Sequence, residues 1–294
     1  MTVLATDWSD WPAPAKLNLF LRITGRRSDG YHSLQTVFQL LDWGDSVRVR
    51  VRPDGKIVRE GGDTARLPED EDLLLRAARL LQEHASIAAG ADLSVSKAIP
   101  MGGGFGGGSS DAATVLVALN HLWGAGLDVE ALARLGLALG ADVPLFVHGH
   151  TAWAEGIGEV LTPLELPTAW FLLAFPRFGV STRELFQASE LTRDAAPATI
   201  ADFVSGIALG NAFEPVVRRL QPAVDRTLRE LARHGQACLT GTGSGCFVRF
   251  ASESAARQAQ QAMPAGFDTR VVAGASRSSL LDALDKARGG EGQE

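Results

Sequence analysis

The chain has 294 residues, 46% of them hydrophobic and 21% charged, with a formal net charge of −6 and two cysteines. That length suits two modest globular domains, the negative balance argues against a nucleic-acid-coating protein, and Cys238 and Cys246 fit neither a metal nor a disulfide framework, which points to a reducing cytoplasm. Near the start, where Asp7 and Asp10 stand, no basic stretch precedes an apolar one, and the longest apolar runs, such as 170–175, are too short to cross a bilayer, so neither a secretory signal nor a membrane span is expected.

Residues 15–23, AKLNLFLRI, alternate as a strand: Leu17, Leu19, Leu21 and Ile23 share the core face, and Lys16, Asn18, Phe20 and Arg22 share the other. A lysine and an asparagine side by side read most simply as solvated. The next segment is unusual as well, since a turn over 25–30 delivers Tyr31, the one tyrosine, beside His32. Residues 33–41 and 47–51 read as two further strands, Asp54-Gly55 as a hairpin turn, and 72–89 as an amphipathic helix closed by Gly90.

A strand over 93–99 leads into PMGGGFGGGSS, residues 100–110, and a helix over 111–123 that is apolar nearly all round follows it. Glycine lets backbone N–H groups approach a ligand closely, at an entropic cost. Ser109, Ser110 and Asp111 read as caps of the helix start, and a helix N-terminus behind a glycine loop is an anion site. A flexible linker would be polar on both sides; this loop lies between a strand and a buried helix, so a phosphate cradle is the favoured reading. The common nucleotide motifs do not account for it. Gly102-x-Gly104-x-x-Gly107 meets the dinucleotide pattern, but a glycine-saturated run meets it for nothing, and Asp128 opens another helix instead of ending a second strand. No lysine lies between Lys97 and Lys286, which removes a P-loop, and the His-Arg-Asp and Asp-Phe-Gly of protein kinases are missing.

Asp128 caps a third helix that ends at Gly140. Ala141-Asp142-Val143-Pro144 then leads into a strand over 145–147, so Asp142 sits in a tight helix-to-strand connection, where aspartate is ordinarily a turn residue. His148 and His150 are too few for a metal and read as strand-end histidines. The composition changes at TPLELP, 162–167, which marks a domain boundary. Beyond it come a strand over 169–175, a Ser181-x-x-Glu184 capping box for a helix carrying Phe186, a helix over 222–234, strands over 237–240 and 246–250, a helix over 252–263 and a strand over 267–272. Strand–helix–strand–strand–helix–strand is the split βαβ order. The loop 241–245 carries three glycines, generous for a hairpin turn, which slightly favours a ligand-facing role. Residues 289–294 read as a disordered tail.

Four stretches in this order, PAKLNLFLRITGRRSDGYHSLQTVFQ, PMGGGFGGGSSDAATVLVALN, LGADVPLFV and LTGTGSGCF, resemble the motifs of the GHMP small-molecule kinases. The first is similar to the branch acting on a cytidine-diphosphate-linked methylerythritol, not to those acting on mevalonate, homoserine or galactose. The resemblance implies a two-domain α+β fold with the active site between the domains. Residues 1–163 would form an ATP-binding domain of the ribosomal-protein S5 domain 2 type, and 164–288 a ferredoxin-like domain. It implies transfer of the ATP γ-phosphoryl group, with Mg²⁺, to the tertiary 2-hydroxyl of the methylerythritol moiety, a step of the non-mevalonate route to isoprenoid precursors. Its partners would be small-molecule substrates, with no nucleic acid and no membrane.

Carried onto matching positions, the resemblance makes Lys16 and Asp142 the catalytic pair. It makes Lys97, Pro100, Met101, Gly102, Gly103, Gly104, Phe105, Gly106, Gly107, Gly108, Ser109 and Ser110 the ATP site, and Asn18, Tyr31, His32, Thr182 and Phe186 the lining of the cytidine diphosphate substrate. Asp111 stands where the family often has a small neutral polar residue, and a carboxylate there repels phosphate unless a metal or the helix end absorbs its charge. No compact carboxylate cage is visible for Mg²⁺, which leaves substrate oxygens with Ser109 or Ser110 as ligands. The chemistry agrees: a tertiary alcohol must lose its proton as the phosphoryl group arrives, a carboxylate can take it, a nearby ammonium stabilises the developing alkoxide, and the rest is positioning and charge neutralisation. Two other readings stay open. One is a different GHMP enzyme, against which Gly30-Tyr31-His32 argues, because an aromatic beside a histidine suits a pyrimidine base. The other is a non-catalytic nucleotide-binding protein on the same scaffold, against which the presence of both Lys16 and Asp142 argues.

Overall fold

The computed structural model describes residues 7–64, 66–176, 182–207 and 209–290. Two long antiparallel strands, β1 (Ser9–Arg26) and β2 (His32–Arg52), organise the first half. The far edge of β2 is shared by three strands. β5 (Ala152–Glu155) pairs along Thr36–Phe38, β10 (Thr269–Ala275) at Leu40 and Leu41, and β4 (Gly90–Ser96) along Ser46–Arg52. β3 (Ile57–Arg59) lies parallel on the outside of β4, and β6 (Val160–Pro163) antiparallel on β5. β1 is therefore a sheet edge.

Strand irregularities overturn several expectations. The strands expected over 33–41 and 47–51 are one strand with a bulge: Pro14 faces Gly44 but Lys16 faces Leu40, so Ala15 opposes three residues of β2. Asp54-Gly55 makes a turn but no hairpin, because β3 pairs with β4, which separates it from β2. A second register shift, between Asn18 and Leu21, breaks the alternation of 15–23. Phe20 thereby enters the core, stacked against Trp153 at 5.3 Å and Phe203 at 5.7 Å between ring centroids. Lys16 and Asn18 are not solvated either; each is only 3% exposed.

Helix α1 (Leu73–His84) is capped by Asp72, whose carboxylate accepts the Leu74 N–H at 2.9 Å. It stops well short of Gly90, because Ser86 takes a positive φ of 52°, and Gly90 instead opens β4. Helix α2 (Gly107–Leu122) starts earlier than expected, and α3 (Val129–Leu137) is capped by Asp128 through the Ala131 N–H. Where a strand was expected over 145–147, the chain forms α4 (Val143–His148). A short, fully buried apolar run does not distinguish helix from strand by its pattern, and Pro144 in the first turn presets a helical φ. These helices pack on one face of the sheet, burying Val47, Leu93, Leu116 and Phe146 in one core.

In the second half β7 (Trp170–Ala174), β8 (Ala237–Leu239) and β9 (Cys246–Phe250) join β10 in the order β10–β7–β9–β8, antiparallel throughout, the arrangement of a split βαβ unit. With them come α5 (Thr182–Gln187), α6 (Ile200–Val204), α7 (Glu214–Leu220), α8 (Pro222–Leu231) and α9 (Glu253–Ala262). Burial pushes the Cys238 thiol up to about 11 and Cys246 higher still, so neither is a reactive thiolate. The last strand of the first half, β6, ends at Pro163, and the second half opens with β7 at Trp170, which leaves a short join between them. One element crosses it: α10 (Ser279–Gly290), sequentially part of the second half, packs Leu280 and Leu284 into the first core, because β10 carries the chain back to β2. Gly289 and Gly290 continue that helix, against the expected tail; residues 291–294 lie outside the described residues, as does Ser181 of the expected capping box. Among the described residues no helix is long and apolar enough to cross a membrane.

The bulge-driven burial of Phe20 has a measurable consequence. Phe20→Ala is expected to lower the unfolding free energy by about 3–5 kcal/mol, as for other buried aromatics, in urea titrations followed by tryptophan fluorescence. A loss within about 0.5 kcal/mol, usual for a surface position, would mean that the simple alternation holds after all.

Candidate active site

Lys16 projects from β1 at the bulge. Its ammonium donates to Asn18 Oδ1 at 2.6 Å, pairs with Asp142 Oδ2 at 3.2 Å and lies 5.2 Å from the centroid of the Phe38 ring. Asn18 Nδ2 in turn donates to Thr36 Oγ1 at 2.9 Å, and that hydroxyl donates to the Phe20 carbonyl at 2.6 Å. Asn18, expected against substrate, thus orients Lys16 with its carboxamide. Asp142 holds the N-cap position of α4 but makes no side-chain cap bond, so its carboxylate is left to the cavity, 31% exposed. The connection there is helix to helix, not helix to strand.

The glycine loop meets this pair directly. A Cβ built on Gly106, whose φ is +77°, would stand 3.1 Å from Lys16 Cε and 2.8 Å from Phe146 Cζ. One on Gly104, at φ +80°, would stand 2.3 Å from the Thr240 carbonyl oxygen. Phe105 between them is buried, edge-on to Trp43 and Phe175, and anchors the loop. The Ser-Ser cap does not form. Gly106 is the N-cap of α2, with no side-chain bond, and the first turn runs through Gly107, Gly108 and Ser109. Helix geometry leaves the N–H groups of that turn without intrahelical acceptors, at the positive end of the dipole. Ser109 lines a cavity of about 560 Å³ together with Lys16, Asp142 and loop residues 100–108; Ser110 is fully buried and does not.

Lys97, expected on ATP, is enclosed at the root of the loop. Its ammonium binds Asp45 Oδ2 at 2.5 Å and Asp111 Oδ2 at 2.6 Å. Asp45 Oδ1 accepts the N–H groups of Ala98 and Ile99 at 2.6 and 2.7 Å, whereas Asp111 Oδ1 has no partner. One ammonium cannot neutralise two carboxylates. Burial, then the nearby Asp45 charge, push the Asp111 carboxyl up to about 7, although Lys97 pulls the other way. Lys97 is the charge partner that the fold gives Asp111. Asp45 was missed in the sequence, since in Asp42-Trp43-Gly44-Asp45-Ser46 it reads as a residue of the link between two strands.

A second cavity, about 900 Å³, adjoins the first and shares Leu34, Ile157, Thr182 and Phe186 with it. Tyr31, 59% exposed, lines it with His32, Arg26 and Arg193. The His32 ring stacks on one face of Phe186 at 4.9 Å with an interplanar angle of 19°. Burial, with the charges of Arg193 and Arg26, holds His32 below its ordinary range, and its Nε2 has no hydrogen-bond partner. Arg193 donates to the carbonyls of Phe186 and Ala188 and fixes the end of α5. The Thr182 and Thr242 hydroxyls meet at 3.1 Å, and Gly241, Thr242 and Gly243 line the first cavity.

Comparison with known proteins agrees along the chain. The models for the GHMP kinases N terminal domain and the GHMP kinases C terminal match residues 72–150 and 195–269. The chain is 64% identical to a 4-diphosphocytidyl-2-C-methyl-D-erythritol kinase of Xanthomonas campestris pv. campestris, over 95% of this chain and 94% of that one. It is 62% identical to the protein of that name from Xanthomonas oryzae pv. oryzae, over 97% of each. Among solved structures, a 4-(cytidine 5'-diphospho)-2C-methyl-D-erythritol kinase superposes with a TM-score of 0.76 at 33% identity, over 91% of this chain and all of that one.

The Lys97 cluster gives a pH signature. Asp111 ordinarily titrates at 3.8 and in the fold at about 7, so between these values the folded state holds a proton that the unfolded chain releases. Its contribution to stability is complete below pH 3.8 and lost as pH rises to about 7. Asp111→Asn removes this loss. The melting temperature of the variant relative to wild type is expected to climb between pH 4 and 8 in calorimetric scans; a difference independent of pH would show Asp111 titrating as an ordinary carboxylate.

Proposed function

The chain belongs to the 4-diphosphocytidyl-2-C-methyl-D-erythritol kinases of the GHMP kinase family, and on that premise we propose that it transfers the γ-phosphoryl group of ATP to the 2-hydroxyl of that substrate with Asp142 as proton acceptor and Lys16 as its charge partner. The observation that carries the assignment of roles is the 3.2 Å ion pair, pressed against Gly106 of the glycine loop.

The triphosphate lies along the loop, its oxygens facing the free N–H groups of the first turn of α2. Among the described residues no group of three or more His, Cys, Asp or Glu could hold a metal ion. Mg²⁺ would bind together with the phosphates, with the Ser109 hydroxyl of the cavity lining as a protein ligand, and would supply charge neutralisation there. The methylerythritol 2-hydroxyl sits between Asp142 and the γ-phosphorus. As the bond from the hydroxyl oxygen to the γ-phosphorus forms and the bond from that phosphorus to the bridging oxygen of the departing ADP breaks, the hydroxyl proton passes to an Asp142 carboxylate oxygen. The Lys16 ammonium, held by Asn18, stabilises the oxygen as it gains charge. The two adjoining cavities separate the labour: ATP and the reacting hydroxyl in one, the cytidine in the other. Tyr31 offers an exposed ring for stacking the base, with His32 beside it in the lining of that cavity. Phe186 supports His32 from behind.

Coupled assays of ADP release, with and without 4-diphosphocytidyl-2-C-methyl-D-erythritol, test this reading; ATP consumption that ignores the acceptor would remove it. Asp142→Asn is expected to cut kcat at least about a hundredfold, with KM values little changed. Lys16→Ala should do comparable harm, and the double variant should fall short of the product of the two. An Asp142→Asn enzyme of near-normal kcat would leave positioning as the whole mechanism. Tyr31→Ala is expected to raise the acceptor KM about tenfold or more, and Tyr31→Phe to change it little, since stacking on a base is worth about 1–3 kcal/mol.

A further inference from the structure

The Lys16–Asp142 pair and the glycine loop come from separate parts of the chain, and something must hold them in register. Packing alone leaves a gap in the account, because the two backbone segments approach through polar atoms. Lys16 donates its N–H to the Phe105 carbonyl at 3.0 Å. The next N–H on that side of β1, that of Asn18, meets no carbonyl; it is accepted by Thr240 Oγ1 at 3.0 Å. The same hydroxyl lies 3.3 Å from the Gly104 carbonyl oxygen and donates to it. Thr240 is fully buried. It is itself held on both sides: its N–H donates to Gly245, its carbonyl accepts from Gly243, and Asn211 Nδ2 donates to the flanking carbonyls of Leu239 and Gly241 at 3.0 and 2.8 Å.

We propose that Thr240 is a positioning residue for phosphoryl transfer, whose hydroxyl ties the strand carrying Lys16 to the loop expected to hold ATP. The proposal rests on the roles given above to Lys16 and the loop. The geometry asks for one group that accepts from an N–H and donates to a C=O in a buried site, and among side chains of this size only a hydroxyl does both. A side chain that filled the space without that chemistry would leave the Asn18 N–H and the Gly104 C=O buried without partners. The loop would then lose one of its ties to β1 at Gly104, leaving the Lys16 N–H bond to the Phe105 carbonyl and the Gly245 N–H bond to the Gly103 carbonyl to set its position. A misplacement on the order of 1 Å is enough to lower a rate about a hundredfold, so the expected damage is to turnover and not only to stability.

The test uses the full chain. Thr240→Val keeps the shape and removes the hydroxyl; Thr240→Ser keeps the hydroxyl and removes a methyl. At saturating substrates Thr240→Val is expected to lower kcat by about tenfold to a hundredfold, and Thr240→Ser to recover most of it, with both folded at the assay temperature by circular dichroism. In a Lys16→Ala background Thr240→Val should add less than twofold, because the lysine it positions is gone. A Thr240→Val enzyme with wild-type kcat, or a Thr240→Ser enzyme as slow as the valine variant, would overturn the proposal, as would a full additional loss in the Lys16→Ala background. Should the valine variant not fold, Thr240→Ala carries the same comparison, with the same outcomes deciding. Wild-type protein without acceptor-dependent ADP release would instead overturn the proposed function, so the two failures are told apart by the wild-type control.

Discussion

The free edge of β1 is the constraint on which the rest of this structure depends. Lys16 and Asn18 are two residues apart on a strand, so their N–H groups leave on the same side, away from β2. An uncovered sheet edge is an open set of donors, and here each donor is taken by a different part of the chain: Lys16 by the Phe105 carbonyl, Asn18 by the Thr240 hydroxyl, and Leu21 by the Gly210 carbonyl. Covering the edge brings the first glycine loop, the second glycine loop and the segment before α7 to one line. The active-site cleft is what remains between these three once they have met β1.

Two lysines illustrate how burial assigns different work to the same side chain. Lys97 is held by two carboxylates at the root of the loop, with little exposure, and still lines the cavity there. Lys16 is as deeply buried, yet its second partner, Asp142, opens to the cavity. A buried ion pair gains little stability over apolar packing, and Lys16 differs from Lys97 in having one carboxylate partner that is partly open to the cavity. The surrounding Asn18, Thr36 and Phe38 hold that ammonium in one place without neutralising it.

The loop itself is rigid for reasons that are not in the loop. Phe105 is fixed by Trp43 and Phe175, Gly104 by Thr240, and Gly106 by Phe146 and Lys16. A glycine-rich segment loses much entropy on ordering, and these contacts from five other segments of the chain offset it. The result is a set of N–H groups already aimed at the cleft, so that little reorganisation is needed when charge moves between phosphate oxygens.

The motifs, their order, the strand bearing Lys16 and the loop before a buried helix were legible because they are local: period-2 alternation, turn residues and a helix start need only neighbours in sequence. The split βαβ order was legible for the same reason. Phe20 was misplaced because a bulge, set by pairing with β2, inverts the alternation after Asn18. α4 was read as a strand because a short buried run has no period to betray it. The hydrogen-bond partners of Lys97 and Asn18, Asp45 and Asp111 for one, Lys16 and Thr36 for the other, were not legible because most of them come from other strands and helices; both residues still line the cavity beside the glycine loop. By itself the sequence determined which chemical groups the protein carries and on what kind of local element each stands. Only the tertiary structure decided which of them touch, since Asp142 reaches Lys16, and Thr240 reaches Gly104, through the closure of a sheet edge that involves every part of the chain at once.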